Sequence, residues 1–468
     1  MSEIAFLPAT RLLELYRSRE LSPVEATEAA LQQIERYNSH VNAFCLVDAD
    51  GALDSARESE ERYGRGEPAG KLDGVPTSVK DVFLTRGWPT LRGSRAVDPD
   101  QEWTEDAPVT ARLREHGAVL LGKTTTPELG WKGVTDSPAT GVTGNPWDPD
   151  LTPGGSSGGS AEAIVLGMGR LTVGTDGGGS VRIPAAFSGL FGLKPTFGRV
   201  PVWPVSPYGA LSHSGPMTST VADAALMMDV LSEPDARDVT ALPPESISYL
   251  EEIKGGVGDL RIAYSPDFGY VDVDPEVAEK VASAAAAFEE LGASVEEMDP
   301  GFEDPIDIFW VHWYAAVANA LSPYDDEARE VMDPGLVELA EEGAGYSALE
   351  YLAADGRKME LGVRMSRFHE QYDLLLSPAL PIPAFGAGRE VPEGWPDERW
   401  MSWTPFSYPF NLTQQPAASV PCGFTEASLP IGLQIVGGKY QDALVLRASH
   451  AYQEAHPFTD RRPDWVEQ

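Results

Sequence analysis

An α/β fold, with a large mixed, mostly parallel central sheet covered on both faces by helices, is what this chain predicts. Three observations carry that reading. Helix-like and strand-like segments alternate along most of the sequence, as they do over a covered, largely parallel sheet. Several strand-like segments, such as AVLL at 118–121, are short and continuously apolar, as strands buried on both faces are. A chain of 468 residues with 42% apolar content is also large enough for a sizeable core.

The elements follow in order. Ser22-Pro23-Val24-Glu25 opens a helix, with Ser as cap, Pro at the first helical position and Glu closing a capping box. Apolar spacing carries that helix to about Tyr37. VNAFCLV (41–47) reads as a strand, ALDSARESEERYG as a solvated helix, and VPTSVKDVF (75–83) as a buried strand running into a loop. Asp106 and Pro108 start a helix that stops near Gly117, and AVLL follows as a strand. SAEAIVLGMG reads as a helix, LTVGT as a strand, VADAALMMDVLS as a helix and RIAYS as a strand. A helix from Pro275 to Leu291 and the strand SVEEM continue the alternation. From about 300 to 410 the pattern loosens, with helical stretches at 305–321 and 346–371 and a crowd of Pro, Gly and Trp over 377–409. AASVPCG, GLQIVG and a helix over 441–455 resume the core pattern. The expectation is one domain over 1–468, with an N-terminal helical segment (1–70), a chemical core (70–230) and a substrate-binding cap (300–410).

Composition narrows the function. The net charge is −37, and nine of the 35 basic residues are Lys. Such a surface repels nucleic acid and anionic membranes. No stretch approaches the roughly 18 apolar residues of a membrane span, and the N-terminus lacks the basic start and apolar centre of a signal peptide. A cytoplasmic protein is expected. Cys45 and Cys422 lie in apolar contexts and read as buried free thiols.

Three motif matches need sorting. Gly117-AVLL-Gly122-Lys123-Thr124 fits the phosphate-loop pattern, but its four central residues want to be a strand and Pro127 disfavours a following helix. Gly154-Gly155-Ser156-Ser157-Gly158 fits the nucleophile elbow GxSxG. That elbow must follow a strand, and Pro149 and Pro153 argue against one. The Gly/Ser knots at 154–160 and 177–180 are not linkers either, because a compact apolar helix–strand unit separates them. Their glycines allow close backbone approach. Successive N–H groups around Asp176-Gly177-Gly178-Gly179-Ser180 can converge on a negative charge, as an oxyanion hole requires. Ser180, at the end of that nest, is a candidate nucleophile. No His lies between His116 and His213, so a Lys base must be considered. Lys80 ends the apolar VPTSV stretch, where burial favours the neutral, proton-accepting amine. The competing reading is an ion pair with Asp81, which strand alternation places on the opposite face.

These residues resemble the amidase signature family. The run GGSSGGSAEAIVLGMGRLTVGTDGGGSVRIPAAFSGLFGLKPTFGRVP carries the likeness. GVPTSVKDVF, GNPWDPDLTPGGSSGGS, SGPMTSTVADAALMMDVL and ASVPCGFTEASLPIGLQIVGG extend it over roughly 70–455. The resemblance implies a Ser–Ser–Lys triad: Lys80 as base, Ser156 (preceded by a cis peptide) as proton bridge, and Ser180 as nucleophile. It places the oxyanion hole on Gly177, Gly178 and Gly179. Thr175, Asp176 and Ser157 fall beside the nucleophile loop or the bridge. Asp176 can pair with Arg182 to brace the loop, and Ser160 is expected to cap the next helix. Where family members often carry a side chain, this chain has Gly177, which is expected to widen the site.

The implied chemistry is amide hydrolysis through an acyl-enzyme, with no metal or organic cofactor. The expected partner is a small-molecule amide, without nucleic acid or membrane, and the chain is expected to act as a monomer or homodimer. Trp395, Trp400, Trp403, Phe406, Tyr408 and Phe410 crowd one segment. Most of them suit core or lid packing; Trp403, Phe406 and Tyr408 are the candidates for an apolar substrate pocket, favouring aryl or aliphatic amides. Esters, carbamates and cyclic or oligomeric amides are further candidates. The alternatives are the glutaminase subunit of a tRNA-dependent amidotransferase and a non-catalytic binding module.

Overall fold

A computed structural model describes residues 3–458 and 461–466. Its strands are β1 (Phe44–Val47), β2 (Pro76–Lys80), β3 (Val119–Thr124), β4 (Asp136–Ser137), β5 (Gly141–Val142), β6 (Leu171–Asp176) and β7 (Phe191–Lys194). Then come β8 (His213–Thr218), β9 (Arg261–Tyr264), β10 (Ser294–Glu297), β11 (Leu374–Pro378), β12 (Ala417–Phe424) and β13 (Pro430–Gly437). Strands β4 and β5 form a small ribbon. The other eleven make one sheet in the order β1-β3-β2-β6-β8-β7-β12-β13-β11-β9-β10.

The sheet is mixed, as expected, but its parallel share is smaller than the alternation implied. Only β2–β3, β2–β6, β9–β11 and β9–β10 pair in parallel; the other six pairings are antiparallel. Two parallel wings thus flank an antiparallel centre made of β8, β7, β12 and β13. The sequence obscured this centre for a physical reason. His213–Thr218 contains Gly215-Pro216, a pair of strand breakers, yet Pro216 sits opposite Val173 in the ladder.

Helices cover both faces. On β11, Leu374 and Leu376 join one hydrophobic cluster and Leu375 the other, the two-sided burial of a central strand. The first cluster takes in the helices Val221–Leu231, Pro275–Glu290 and Asp442–Ala455. The second takes in Ile306–Leu321 and the aromatics of 400–412. The expected cap stretches are the helices Ile306–Leu321 and Ala348–Phe368. Strand β11, which falls inside the expected cap, belongs to the sheet. The thiols are unpaired, but Cys45 is exposed and Cys422 half-buried, not fully buried as expected; Cys45 lies on β1, an edge strand.

Strand β3 is the segment that matched the phosphate loop, and it is buried throughout. Lys123 ends 3.4 Å from Asp81 and donates to Phe83 O (2.7 Å) and Thr90 Oγ1 (2.8 Å). Removing one partner of such a pair strands the other charge. Lys123→Met is therefore expected to cost about 3–5 kcal/mol, and Lys123→Met with Asp81→Asn less than the sum of the singles. Denaturant unfolding of the three variants measures this.

Candidate active site

Strands β2 and β6 run parallel side by side, so their C-terminal ends bring Lys80 beside Thr175. Val79 faces the opposite side, into the core. The loop before the helix Gly158–Val165 supplies Ser156 and Ser157, and the Gly155–Ser156 peptide is cis. Lys80 Nζ lies 2.7 Å from Ser156 Oγ, 3.0 Å from Ser157 Oγ and 2.8 Å from Thr175 Oγ1. Lys80 is wholly buried among hydroxyls. Burial lowers its pKa well below the usual lysine value, and the more distant Asp176 only partly opposes that. The neutral amine has one lone pair and two N–H groups. It can therefore accept from one of these hydroxyls while donating to the other two.

Ser180 sits between β6 and the helix Arg182–Ser188. The loop is organised by Asp176, whose carboxylate accepts from the N–H groups of Gly179 (2.8 Å) and Val181 (3.2 Å). Arg182 grips that carboxylate at 2.9 and 3.0 Å. Burial alone would raise the Asp176 pKa; the guanidinium outweighs it and holds the group below the ordinary carboxylate range. Arg182 also donates to Gln434 Oε1 (2.8 Å), Ser407 O (2.9 Å) and Asn411 Oδ1 (2.7 Å), so all five of its side-chain N–H groups are engaged. Asn411, Ser407 and Gln434 had no signal in the sequence, because their roles depend on chain segments more than 200 residues away.

Two expectations about the glycine run need correction. The Gly179 N–H points to Asp176, not to an incoming anion, which takes it out of the expected oxyanion hole. That leaves Gly177, Gly178 and Ser180 as candidate backbone donors. Nor does Gly177 widen the site. A Cβ there would lie 2.9 Å from the edge of the Trp313 indole, and one on Gly178 would meet Phe309 and Trp400 at 2.7 and 2.8 Å. The Trp313 ring is pinned by its N–H bond to Trp131 O (3.1 Å) and by stacking on Tyr208 (4.2 Å) and Phe309 (5.3 Å). A smaller correction concerns Ser160. It lies inside the first helical turn and bonds Thr124 Oγ1 (2.7 Å); Ser157 holds the cap position.

Ser156, Ser180, Thr175 and Gly177 line a cleft of about 530 Å³. The Ser180 hydroxyl has no hydrogen-bond partner among the described residues, which leaves it open to the cleft. The walls carry Phe83, Trp203, Tyr208, Trp313 and Tyr324. Trp403, Phe406 and Tyr408, the expected pocket aromatics, are not among them. All three are fully buried. Trp403 stacks on Phe187 (5.8 Å), Phe406 packs on Phe268 (4.8 Å), and Tyr408 stacks on Phe309 (5.1 Å) and bonds Asp304. Their segment runs beneath the Ser180 loop and presents Ser407 to Gly178 and Arg182 and Asn411 to Arg182, so the rings face inward. The available signals for the true lining were PVWPVSPYG, with Trp203 and Tyr208 among prolines, and Trp313 on the apolar helix Ile306–Leu321. Among the described residues, no three His, Cys, Asp or Glu side chains gather into a metal-binding cluster.

The Amidase family model matches residues 25–446. The chain belongs to the amidase family. It is 37% identical over 466 residues to an acylamidase of Rhodococcus erythropolis, with 98% of this chain and 97% of that protein covered. It is 36% identical over 469 residues to a glutamyl-tRNA(Gln) amidotransferase subunit of Myxococcus xanthus, covering 94% and 96%. Among solved structures, a bacterial aryl acylamidase of the amidase signature family superposes with a TM-score of 0.89 at 31% identity over 97% of both chains. A 6-aminohexanoate cyclic dimer hydrolase bound to its substrate gives 0.89 at 29% identity, over 99% of this chain and 100% of that one. This member of the family is an amide-hydrolysing enzyme. No described helix is long and apolar enough to cross a membrane.

Two outcomes follow from the packing. Gly177→Thr should lower kcat/KM for small and bulky amides alike, by about tenfold or more, because it drives Trp313 from its place. Steady-state kinetics on a graded acyl series checks this; a gain on any member contradicts it. Trp403→Ala should cost about 3–5 kcal/mol of stability and leave the KM pattern across that series intact.

Proposed function

We propose that Lys80, Ser156 and Ser180 form a Ser–Ser–Lys triad that cleaves carboxylic amides through an acyl-enzyme. The observation that carries this is the wholly buried Lys80 amine, 2.7 Å from Ser156 Oγ at the base of the cleft that Ser180 also lines. Neutral Lys80 accepts a proton from Ser156 as Ser156 accepts one from Ser180, and Ser180 Oγ attacks the carbonyl carbon. The N–H groups of Gly177, Gly178 and Ser180 hold the developing oxyanion. The tetrahedral intermediate then expels the amine, which takes a proton returned through Ser156. Water cleaves the acyl-enzyme by the same steps in reverse roles. Ser157 and Thr175 keep the Lys80 amine oriented.

The aromatic walls support aryl and aliphatic amides as the substrate class, with esters, carbamates and cyclic or oligomeric amides as further substrates of the same machinery. No metal or cofactor enters the scheme. The enzyme works on its own, as a monomer or homodimer in the cytoplasm. The amidotransferase relatives favour a second reading, a glutaminase subunit that passes ammonia to a partner. Hydrolysis of a nitroanilide by the isolated chain favours the first; activity on glutamine alone favours the second.

A fluorophosphonate should label Ser180, as read by peptide mass spectrometry. Labelling of Ser156 instead, with Ser180→Ala still active, overturns the triad. Lys80→Met should lower kcat by about 100-fold to 10,000-fold. Because only the neutral amine accepts a proton, kcat/KM should rise with pH through the lowered Lys80 pKa and level off well below 10.5. Lys80→Met should abolish that limb of the profile.

A further inference from the structure

Arg92 has not entered the scheme. Among the described residues it is the one charged side chain lining the cleft, whose other walls are apolar, aromatic or hydroxyl-bearing apart from the carboxamide of Asn319. Its guanidinium has no hydrogen bond, ion pair or ring contact among the described residues. Asp81 is taken by Lys123. An uncommitted arginine is conspicuous in a chain with a net charge of −37.

The backbone beneath it adds an independent observation. Arg92 has φ 56° and Gly93 φ 68°, and Ser94 N donates to Leu91 O at 2.9 Å. Two left-handed residues in succession make a turn whose first central position belongs by preference to Asn, Asp or Gly. Arginine there is strained. The turn tolerates it because it is held on several sides. Leu129 N donates to Arg92 O at 2.7 Å, and a Cβ on Gly93 would lie 2.6 Å from Thr126 O. Non-glycine residues kept in such conformations concentrate at binding sites, where the strain is part of the recognition.

We propose that Arg92 is a specificity-determining residue that binds a carboxylate on the substrate, away from the scissile bond. The preferred substrates are then amides with an apolar or aryl stretch between the carbonyl and a terminal anion. The aromatic walls contact the stretch, and the guanidinium fork takes the carboxylate by paired N–H bonds. The surrounding negative charge repels such substrates in bulk, so the local cation supplies the selectivity once they have entered. This rests on the amidase reading of the cleft.

The test uses two 4-nitroanilides of equal chain length, valeryl (neutral) and glutaryl (anionic), with the full-length enzyme. The wild type should prefer the glutaryl compound about tenfold or more in kcat/KM, mostly through KM, and added salt should erode the preference. Arg92→Asn should reduce the glutaryl-to-valeryl ratio about tenfold while Tm holds or rises, because Asn accepts the left-handed backbone. Arg92→Lys should keep part of the ratio. No glutaryl preference in the wild type overturns the proposal. So does an Arg92→Asn variant that loses both substrates equally with a lower Tm, since that is what a purely structural arginine predicts. Ser180→Ala separates the two levels: if it still cleaves both anilides, the triad fails; if it is inert while the ratio ignores residue 92, only the Arg92 assignment fails.

Discussion

The Asp176–Arg182 ion pair is the interaction on which the site depends. Both side chains are fully buried, and taking two charges out of water is tolerable only when they are paired and every polar atom finds a partner. Arg182 meets that condition by reaching the end of β6 and three groups distant in the chain at once: Ser407, Asn411 and Gln434 on β13. The pair is therefore satisfied only in the assembled fold. The same carboxylate anchors the N–H groups of Gly179 and Val181 on either side of Ser180. The Ser180 loop inherits its shape from this charge pair, and the charge pair from the closure of the sheet.

Two buried lysines at the ends of neighbouring strands illustrate how one residue type takes two fates. Lys123 on β3 finds Asp81 and becomes half of a structural pair. Lys80 on β2 finds only hydroxyls, because the nearby Asp176 is already saturated by Arg182. Desolvation then wins over attraction at Lys80 and favours the neutral amine. The brace of the Ser180 loop thus also leaves Lys80 without a carboxylate partner. Glycine and tryptophan are matched in a similar way. The Trp313 edge fills the space beside Gly177, whose φ is not left-handed, so packing is what calls for glycine there.

Much of this was legible in the sequence. Alternating periodicity located most helices and strands of the sheet's wings, since each buries a regular apolar pattern. The antiparallel centre was less legible: β7 and β8 are short and interrupted by Gly and Pro, and they hold their places through neighbours distant in the chain. Cap helices 306–321 and 348–368 followed from their periodicity, but β11 was hidden among prolines. The aromatics of 400–412 were readable as a cluster, not as a direction. Whether such a ring faces a cleft or a core is set by the segment it packs under.

By itself, the sequence determined the local arrangement: the spacing of Lys80, Ser156 and Ser180, the glycine runs between them, and the place of Lys80 at the end of a buried strand. Each of these follows from neighbouring residues or strand geometry. Only the tertiary structure decided which N–H groups remain free beside Ser180, which aromatics wall the cleft, and that Arg92 stands in it without a partner. Those outcomes depend on contacts between segments far apart in the chain, where partners are chosen by packing and by the cost of leaving buried polar groups unsatisfied.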